Sequence, residues 1–450
     1  MKIKEKLIAG YGNYPFVKSK IRETSDQLTI KSLLQDEGNL VARGLGRSYG
    51  DQAVNDAQLV ALLTPMAKYL SFDHQNGVLE CQAGVSLKDI ITTFAPRGWF
   101  PMISPGTKYV TVGGCIANDI HGKAHHKDGS FVNSVISFTI MTADGQVYDT
   151  SREKNEELFW ANFGGLGLLG VIITVKLRLR KIETTYFTQK AIKVRNIDHL
   201  LDAFEETNEY DYSVAWINSL AKGKGLGKGV LTVGNAAKPD DLPPSKQKNS
   251  LFVTGEPKIN VPFYFPGFAL NTITVKMLNT LLNIVQGSAG SLAHYEKFFY
   301  PLDAILNWNR GYGKRGFIQY QFVIPLEDGR KNIRSILEKV AHSGCSPFLN
   351  VLKKFGHGQP KAHLSFPMEG YTFAIDFPVT KRLHAFTKEL DAMVLDYGGR
   401  IYLGKDAMLD ETTFKKMYPQ HTEWLEIKQK YDPDNKFSSN ISRRLGLDIK

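Results

Sequence analysis

Cysteine is scarce in this chain of 450 residues, which contains three, at positions 81, 115 and 345. Cysteines so few and so scattered form neither a disulfide framework nor a Cys-x-x-Cys metal site, and they favour a reducing compartment. Histidine does cluster, at His121, His125 and His126. Without a carboxylate at helical spacing, however, this cluster predicts no metal site.

Nucleic-acid-binding motifs are missing too. The chain has no zinc-finger pattern, no RNP motif and no long basic helix, which argues against a nucleic-acid partner. Lys and Arg nevertheless outnumber Asp and Glu by 56 to 45. An anionic membrane surface, an anionic substrate and simple solubility all remain as explanations of this excess.

Long uninterrupted apolar runs are lacking as well. Residues 1–6 lead into no apolar segment of the kind that signal peptides have. The apolar stretch 261–285 is too broken to span a bilayer, because it contains Pro262, Pro266, Asn271 and Lys276. We therefore expect a cytoplasmic protein without a transmembrane segment. Stretch 261–285 leaves peripheral association with the inner membrane open, although a buried helix is favoured.

The pattern of apolar residues changes along the chain. Val171–Leu179 alternates apolar and polar residues, as a half-buried strand does. After about Lys181, alternating strands at Phe317–Ile324 and Tyr371–Phe377 are each followed by a segment with helical apolar spacing. Long polar loops separate these elements. The change predicts an α+β chain with two domains.

Glycine is concentrated in three motifs. The first, Arg43–Asp51, has the sequence RGLGRSYGD, and its glycines let backbone N–H groups approach a diphosphate beside two arginines. The second joins Ser104–Thr107 to Thr111–Gly114. The third, Gly165–Gly170, satisfies GxGxxG but follows a predicted helix and precedes a strand, the reverse of a dinucleotide fingerprint. We therefore reject a nicotinamide site there and expect a glycine turn packed against a flat cofactor.

Together these motifs resemble the FAD-binding domain of the vanillyl-alcohol oxidase/p-cresol methylhydroxylase family. The resemblance implies an α+β flavoprotein whose FAD-binding domain is split and whose substrate (cap) domain is built on an antiparallel sheet. The implied boundaries are 1–183 and 400–450 for the FAD-binding domain and 184–399 for the substrate domain. Further similar stretches bring the resemblance to nearly the whole chain, at residues 119–126, 317–325, 398–407, 431–437 and 438–447.

The resemblance also implies a reaction. Members that are similar in these stretches oxidise the 2′-hydroxyl of a polyprenyl-phosphate ribose. They transfer a hydride from the carbon that bears this hydroxyl to flavin N5. This step is the oxidative half of an epimerisation to arabinose for the cell wall, and a separate nicotinamide-dependent reductase is the implied partner. Two alternatives stay open: an alditol or aldonolactone oxidase, and a flavoprotein without catalytic activity.

Cofactor contacts follow from the same resemblance. Related sugar oxidases often carry a histidine in the first glycine motif that bonds covalently to the flavin. Arg47 stands at the matching position, so we expect FAD to be held non-covalently. The implied FAD contacts are Arg43, Gly44, Leu45, Gly46, Arg47, Ser48, Tyr49, Gly50, Gly106, Thr111, Val112, Gly113, Gly114, Asn118, His121, Gly122, Ile172 and Tyr402.

The implied catalytic residues are Lys405, His121 and Tyr49. Lys405 is expected to supply positive charge near the flavin, His121 to act as a base or to orient the substrate, and Tyr49 to hydrogen-bond the substrate or the flavin edge. Mycobacterial members carry a cysteine where this chain has Ala374. Gln319 and Gln321 are two apart on a strand and so share a face. The implied substrate contacts are Lys123, Trp216, Tyr312, Gln319, Gln321, Lys353 and Ala374.

Overall fold

The computed structural model describes residues 3–36, 38–257, 259–266, 290–345, 347 and 350–449. Most of the apolar stretch, residues 267–285, lies outside the described residues. Within the described ranges, no helix combines the length and the apolarity needed to cross a bilayer.

The N-terminal sheet consists of β1 (Lys4–Ile8), β2 (Val17–Glu23), β3 (Leu40–Arg43) and β4 (Leu59–Leu62). Its order is β1-β2-β4-β3, with β4 parallel to both of its neighbours and β1 antiparallel to β2. Helix α1 (Gln27–Gln35) joins β2 to β3, and its N-cap Asp26 accepts the backbone N–H of Thr29. Because β3 ends at Arg43, the first glycine motif begins where this strand ends.

The second sheet is antiparallel and has the order β5-β6-β10-β8-β9, with β7 pairing to β10. Its strands are β5 (Tyr69–Asp73), β6 (Val78–Gln82), β7 (Trp99–Pro101), β8 (Val135–Met141), β9 (Val147–Ser151) and β10 (Val171–Lys181). The helices in this part are α2 (Leu87–Phe94), α3 (Val112–Ala117), α4 (His125–Asp128) and α5 (Glu156–Asn162). β10 confirms the predicted strand, and the GxGxxG segment lies between α5 and β10, in the expected order.

The third sheet is antiparallel and has the order β15-β11-β13-β12-β18-β19-β17-β20. Its strands are β11 (Tyr186–Val194), β12 (Tyr212–Ile217), β13 (Gly229–Ala236), β15 (Leu292–His294), β17 (Phe317–Ile324), β18 (Asn350–Phe355), β19 (Gly370–Pro378) and β20 (Arg400–Ile401). The two remaining strands, β14 (Ile259–Asn260) and β16 (Ile305–Leu306), pair with each other in a separate short sheet. The helices are α6 (Ile197–Glu206), α7 (Pro244–Gln247), α8 (Tyr295–Phe299), α9 (Gly329–His342) and α10 (Leu383–Asp396).

The two faces of this third sheet differ. Apolar side chains of α6, α9 and α10 pack on one face, where Phe373 and Ile375 of β19 lie in the same core cluster. The alternate residues of β17, β18 and β19 point the other way. β19 is therefore buried on both faces, and it is not the half-exposed strand that its alternation alone would suggest.

The C-terminal segment returns to the N-terminal sheet, where Phe437 bridges to Leu40. It contains the helices α11 (Glu411–Met417), α12 (His421–Tyr431) and α13 (Asn440–Leu445). Lys428 of α12 is completely buried and lies 2.6 Å from the Asp432 carboxylate. Its ammonium also donates to the carbonyl of Leu168 in the third glycine motif. These bonds satisfy the buried charge and fix α12 against that motif.

Candidate active site

The glycine motifs and the free face of the third sheet enclose a cavity of about 290 Å³. Most of the residues predicted to bind FAD or substrate line it. They are Arg43, Gly44, Leu45, Gly46, Arg47, Ser48, Tyr49, Gly106, Thr111, Gly113, Gly114, Asn118, His121, Gly122, Ile172 and Tyr402, together with Lys123, Trp216, Gln319, Gln321, Lys353, Ala374 and Lys405.

Gly50, Val112 and Tyr312 are not among the lining residues. Gly50 backs onto the carbonyl oxygen of Asp406, which a Cβ would approach to 1.6 Å. The Val112 side chain is fully buried in the core at the start of α3. Tyr312 stacks on Phe317 and is covered by it.

One end of the cavity is built mainly from backbone. At Gly44 a Cβ would lie 2.2 Å from the Thr111 hydroxyl, so the backbone of the first glycine motif packs directly against the Thr111 side chain of the second. Beside them, the Arg47 guanidinium lies between the rings of Tyr11 and Tyr109, at 4.7 and 5.2 Å from their centroids. Close backbone approach and a held cation suit a diphosphate.

The opposite wall is built from side chains of adjacent strands. Trp216 of β12 pairs with Val351 of β18, Val351 with Ala374 of β19, and Ala374 with Gln321 of β17. These four side chains therefore form one row across four neighbouring strands, and all four line the cavity.

Lys123, Lys353 and Lys405 place ammonium groups on this side of the cavity. Burial lowers the pKa of Lys123 to about 7, and burial together with the charges of Lys405 and Lys123 lowers the pKa of Lys353 to about 7. Burial also lowers the pKa of Lys405, whose ammonium lies 5.5 Å from the centroid of the Tyr49 ring. The charges of Lys405 and Lys123 both repel that of Lys353, so an anionic ligand would be stabilised beside Lys353.

Asp376 is a buried carboxylate beside this wall, on the same face of the sheet, and sequence analysis missed it. It lies opposite Gln319 in the sheet and accepts a hydrogen bond of 2.6 Å from the amide nitrogen of Gln319. It also accepts a bond of 3.1 Å from the Tyr312 hydroxyl. Burial raises the pKa of Asp376, while these hydrogen bonds and the Lys405 charge favour the ionised form. The carboxylate in turn raises the pKa of Lys405.

His121 is buried and surrounded by positive charge. Burial, followed by the charges of Lys353, His125 and Lys405, holds the pKa of His121 well below its usual value. Its Nε2 lies 3.0 Å from the amide nitrogen of Gln321. A histidine held neutral in this way is a weak acceptor of protons near neutral pH.

A second group that sequence analysis missed is the Arg444 bridge, formed by Arg444 of α13 with Asp51 and Asp406. The guanidinium lies 2.7 Å from the Asp51 carboxylate and 2.8 Å from that of Asp406. These carboxylates follow Tyr49 by two positions and Lys405 by one. The bridge therefore joins the loops that carry two of the predicted catalytic residues.

Several buried polar atoms around the cavity lack a hydrogen-bond partner among the described residues. They are Arg47 Nε, Gln52 Oε1, His121 Nδ1 and Gln321 Oε1. Buried polar groups are rarely left unpaired, so these atoms indicate a polar ligand that reaches both ends of the cavity. FAD, with a diphosphate at the backbone end and a polar ring system, fits this arrangement. No metal-binding group of His, Cys, Asp or Glu occurs in the part of the chain that the structure describes.

Comparison with known proteins agrees with this chemistry. Residues 25–151 match the model of the FAD binding domain, and residues 314–445 match the model named D-arabinono-1,4-lactone oxidase. The chain is 38% identical to decaprenylphosphoryl-β-D-ribose oxidase of Mycolicibacterium smegmatis over 98% of both chains. It is 30% identical to mouse (Mus musculus) L-gulonolactone oxidase, over 36% of this chain and 37% of the relative. Cytokinin dehydrogenase 2 of Arabidopsis thaliana is 27% identical, over 34% of this chain and 32% of the relative.

These matches make the chain a FAD-dependent oxidoreductase of the vanillyl-alcohol oxidase/p-cresol methylhydroxylase type, which confirms the predicted cofactor and class of reaction. Within this class it belongs to the family of decaprenylphosphoryl-β-D-ribose oxidase, because the identity extends over nearly the full length of both proteins.

Proposed function

We propose that this chain oxidises the 2′-hydroxyl of a polyprenyl-phosphate ribose to a ketone. The observation that carries the proposal is the group of buried lysines, Lys123, Lys353 and Lys405, which line one cavity together with Gln319 and Gln321. Cations suit a phosphodiester, and amides suit the hydroxyls of a pentose. The 2′-keto product then passes to a nicotinamide-dependent reductase, which completes the epimerisation to arabinose.

Bound FAD supplies the hydride acceptor, N5 of its isoalloxazine ring, and we propose that it is held without a covalent bond. Arg47 and the backbone of the first two glycine motifs hold its diphosphate. Lys405 keeps a positive charge beside the reacting hydroxyl, and Tyr49 holds the position of Lys405 through its ring. His121 orients the sugar as a hydrogen-bond donor, since its low pKa makes it a poor base.

We further propose that residues 1–183 and 400–450 form the FAD-binding domain and that 184–399 form the substrate domain. The first two sheets fall in the first range and most of the third sheet in the last. The Arg444 bridge supports the split, because it ties the C-terminal segment to the first glycine motif.

Peripheral membrane contact is part of the proposal, because the substrate is a lipid. Phe263 and Phe265 are exposed, by 62% and 39%, close to the cavity residue Trp308. Arg310, in the same short helix as Trp308, holds their loop through the carbonyls of Val261 and Pro262. Replacing both phenylalanines by serine should weaken co-sedimentation with anionic vesicles at low salt. Equal sedimentation of the two proteins would argue against this surface.

The substrate test is an anaerobic titration of the FAD-loaded protein, followed by the loss of flavin absorbance. A short-chain polyprenyl-phosphate ribose should bleach the flavin, while an alditol and D-arabinono-1,4-lactone should not. Bleaching by the lactone alone would favour the alternative oxidase. After denaturation the flavin should appear in the supernatant, and flavin that stays with the pellet would contradict non-covalent binding.

A further inference from the structure

Two buried residues of β19, Thr372 and Asp376, lie on the same face of the sheet as Gln319 and Gln321 but do not themselves line the cavity. Each hydrogen-bonds the amide of a glutamine that does line it, Gln321 for Thr372 and Gln319 for Asp376. A glutamine amide is a donor on one side and an acceptor on the other. The buried group that hydrogen-bonds each amide, Thr372 or Asp376, therefore decides whether the amide nitrogen or the carbonyl oxygen faces the ligand.

The orientation of Gln321 follows from a chain of bonds. The Thr372 hydroxyl donates its single hydrogen to the carbonyl oxygen of Phe322, at 2.9 Å. Its oxygen can then only accept, so the group 3.0 Å away on Gln321 must be the amide nitrogen. The second hydrogen of that nitrogen points to Nε2 of His121, at 3.0 Å. Nε2 of His121 accordingly accepts, and the ring proton resides on Nδ1.

Gln319 is fixed by a simpler rule. Asp376 accepts a hydrogen bond from the amide nitrogen of Gln319, as an ionised carboxylate does, and its hydrogen bonds and the Lys405 charge favour that ionised form. The hydroxyl of Tyr312 occupies the other oxygen of Asp376 and keeps the carboxylate in place. Both glutamines thus direct their carbonyl oxygens away from the buried groups, and Gln321 Oε1 has no partner among the described residues.

We propose that Thr372 and Asp376 are positioning residues that turn both glutamine carbonyls toward the substrate and fix His121 as an Nδ1–H donor. This inference rests on the proposed function for the identity of the substrate. It implies that the wall selects a sugar that presents hydroxyl hydrogens to Gln319 and Gln321. A substituent that only accepts hydrogen bonds, such as fluorine, is then rejected.

The matched test compares Thr372→Val with Thr150→Val in the FAD-loaded protein. Thr150 is also buried and donates to a backbone carbonyl at 2.9 Å, but it lies in β9 and does not line the cavity. The probes are the pentose substrate and its 3-deoxy-3-fluoro analogue, each measured by anaerobic flavin reduction. Wild type and Thr150→Val should prefer the hydroxyl by roughly tenfold to a hundredfold, the effect of an unpaired buried acceptor. Thr372→Val should lose most of this preference, and Thr372→Ser should restore it.

The same comparison applies to Asp376→Asn, with Asp391→Asn as its control. Asp391 is a buried carboxylate that accepts the hydroxyl of Tyr320, on the other face of β17. Only Asp376→Asn should change the preference for the hydroxyl. Equal preference in Thr372→Val, Asp376→Asn and the two controls would overturn the proposal.

A second measurement needs no substrate. Nitrogen-15 spectra of histidine-labelled protein distinguish the protonated from the unprotonated ring nitrogen, and His121→Gln identifies the His121 signals. Wild type should carry the His121 proton on Nδ1, and Thr372→Val should show a mixture or the opposite tautomer. A proton on Nε2 in wild type would overturn the assignment of Gln321. If the tautomer is as expected but the pentose is not oxidised, the proposed substrate fails and the positioning role stands.

Discussion

The two ends of the cavity recognise ligands in different ways. The backbone end relies on Gly44 and its neighbours, where space is so limited that a single methyl group would collide with Thr111. The side-chain end relies on buried lysines and amides. Neighbouring buried groups, such as Asp376, set the pKa values of these lysines and the direction of the amide hydrogen bonds. The comparison teaches that the first end should be sensitive to added volume and the second to altered charge. Mutations of each kind can test this difference.

The largest effect is expected at the side-chain end, from Lys405→Met. The change keeps the approximate volume and removes the charge, so FAD should remain bound while flavin reduction by substrate slows about a hundredfold to a thousandfold. Stopped-flow absorbance under anaerobic conditions measures the rate, and the visible spectrum measures bound FAD. Normal reduction in this variant would remove Lys405 from the mechanism.

At the backbone end, Gly44→Ala should weaken FAD binding, by roughly tenfold or more, because its Cβ would lie 2.2 Å from the Thr111 hydroxyl. Gly106→Ala is the control, since that glycine also lines the cavity but a Cβ there meets nothing within 4 Å. Flavin fluorescence during titration of the apoprotein gives both dissociation constants. Equal affinities of the two variants for FAD would show that added side-chain volume does not weaken FAD binding at the backbone end.

Lys353→Met should raise the KM for the phosphate-bearing substrate about tenfold and change kcat little, because it removes a charged hydrogen-bond donor. In the wild type the pKa of Lys353 is lowered to about 7, so its charge is present below that pH and is lost above it. The KM should therefore rise between pH 6 and pH 8 in the wild type and rise less steeply in the variant, where Lys123, whose pKa is also about 7, still loses its charge. Lys354→Met is the control, because Lys354 is paired with Glu205 and does not line the cavity.

The smallest effect is expected for His121→Gln, with less than about a tenfold loss of kcat. Because burial and the neighbouring Lys353 and Lys405 hold the pKa of His121 well below its usual value, the ring stays neutral across the neutral range. The acid limb of the pH profile of kcat/KM should then be the same in variant and wild type. Disappearance of that limb would instead make His121 the general base.

Features that depend on neighbouring residues in sequence were predictable. The strand β10 and the order of α5, the GxGxxG segment and β10 were correct, because apolar alternation and glycine positions are local signals. The row from Trp216 to Gln321 was not predictable as a row, since strand order depends on contacts distant in sequence. Tyr312 illustrates the limit: it was predicted to contact substrate, but Phe317 covers it and the structure places it behind Asp376.

The buried supporting groups were missed for a related reason. An aspartate within an apolar strand, as at Asp376, stands out in the sequence, but nothing in the sequence says that it faces Gln319. Arg444 likewise lies in the stretch 438–447, which resembles the family. Its partners Asp51 and Asp406 are identified only by the fold. The alternation of apolar and polar residues along a strand shows which face of the sheet a side chain lies on. Its neighbour on that face depends on strand register, which the sequence does not show.

The Arg444 bridge also bears on the order of events during synthesis. It joins residues 393 positions apart, and this bridge between the loop carrying Tyr49 and the turn carrying Lys405 cannot form until residue 444 has been synthesised. Domains that form early in translation can fold while later residues are still being added. In this protein we therefore expect FAD to bind late, after residue 444 has been synthesised, and not to the shorter nascent chain.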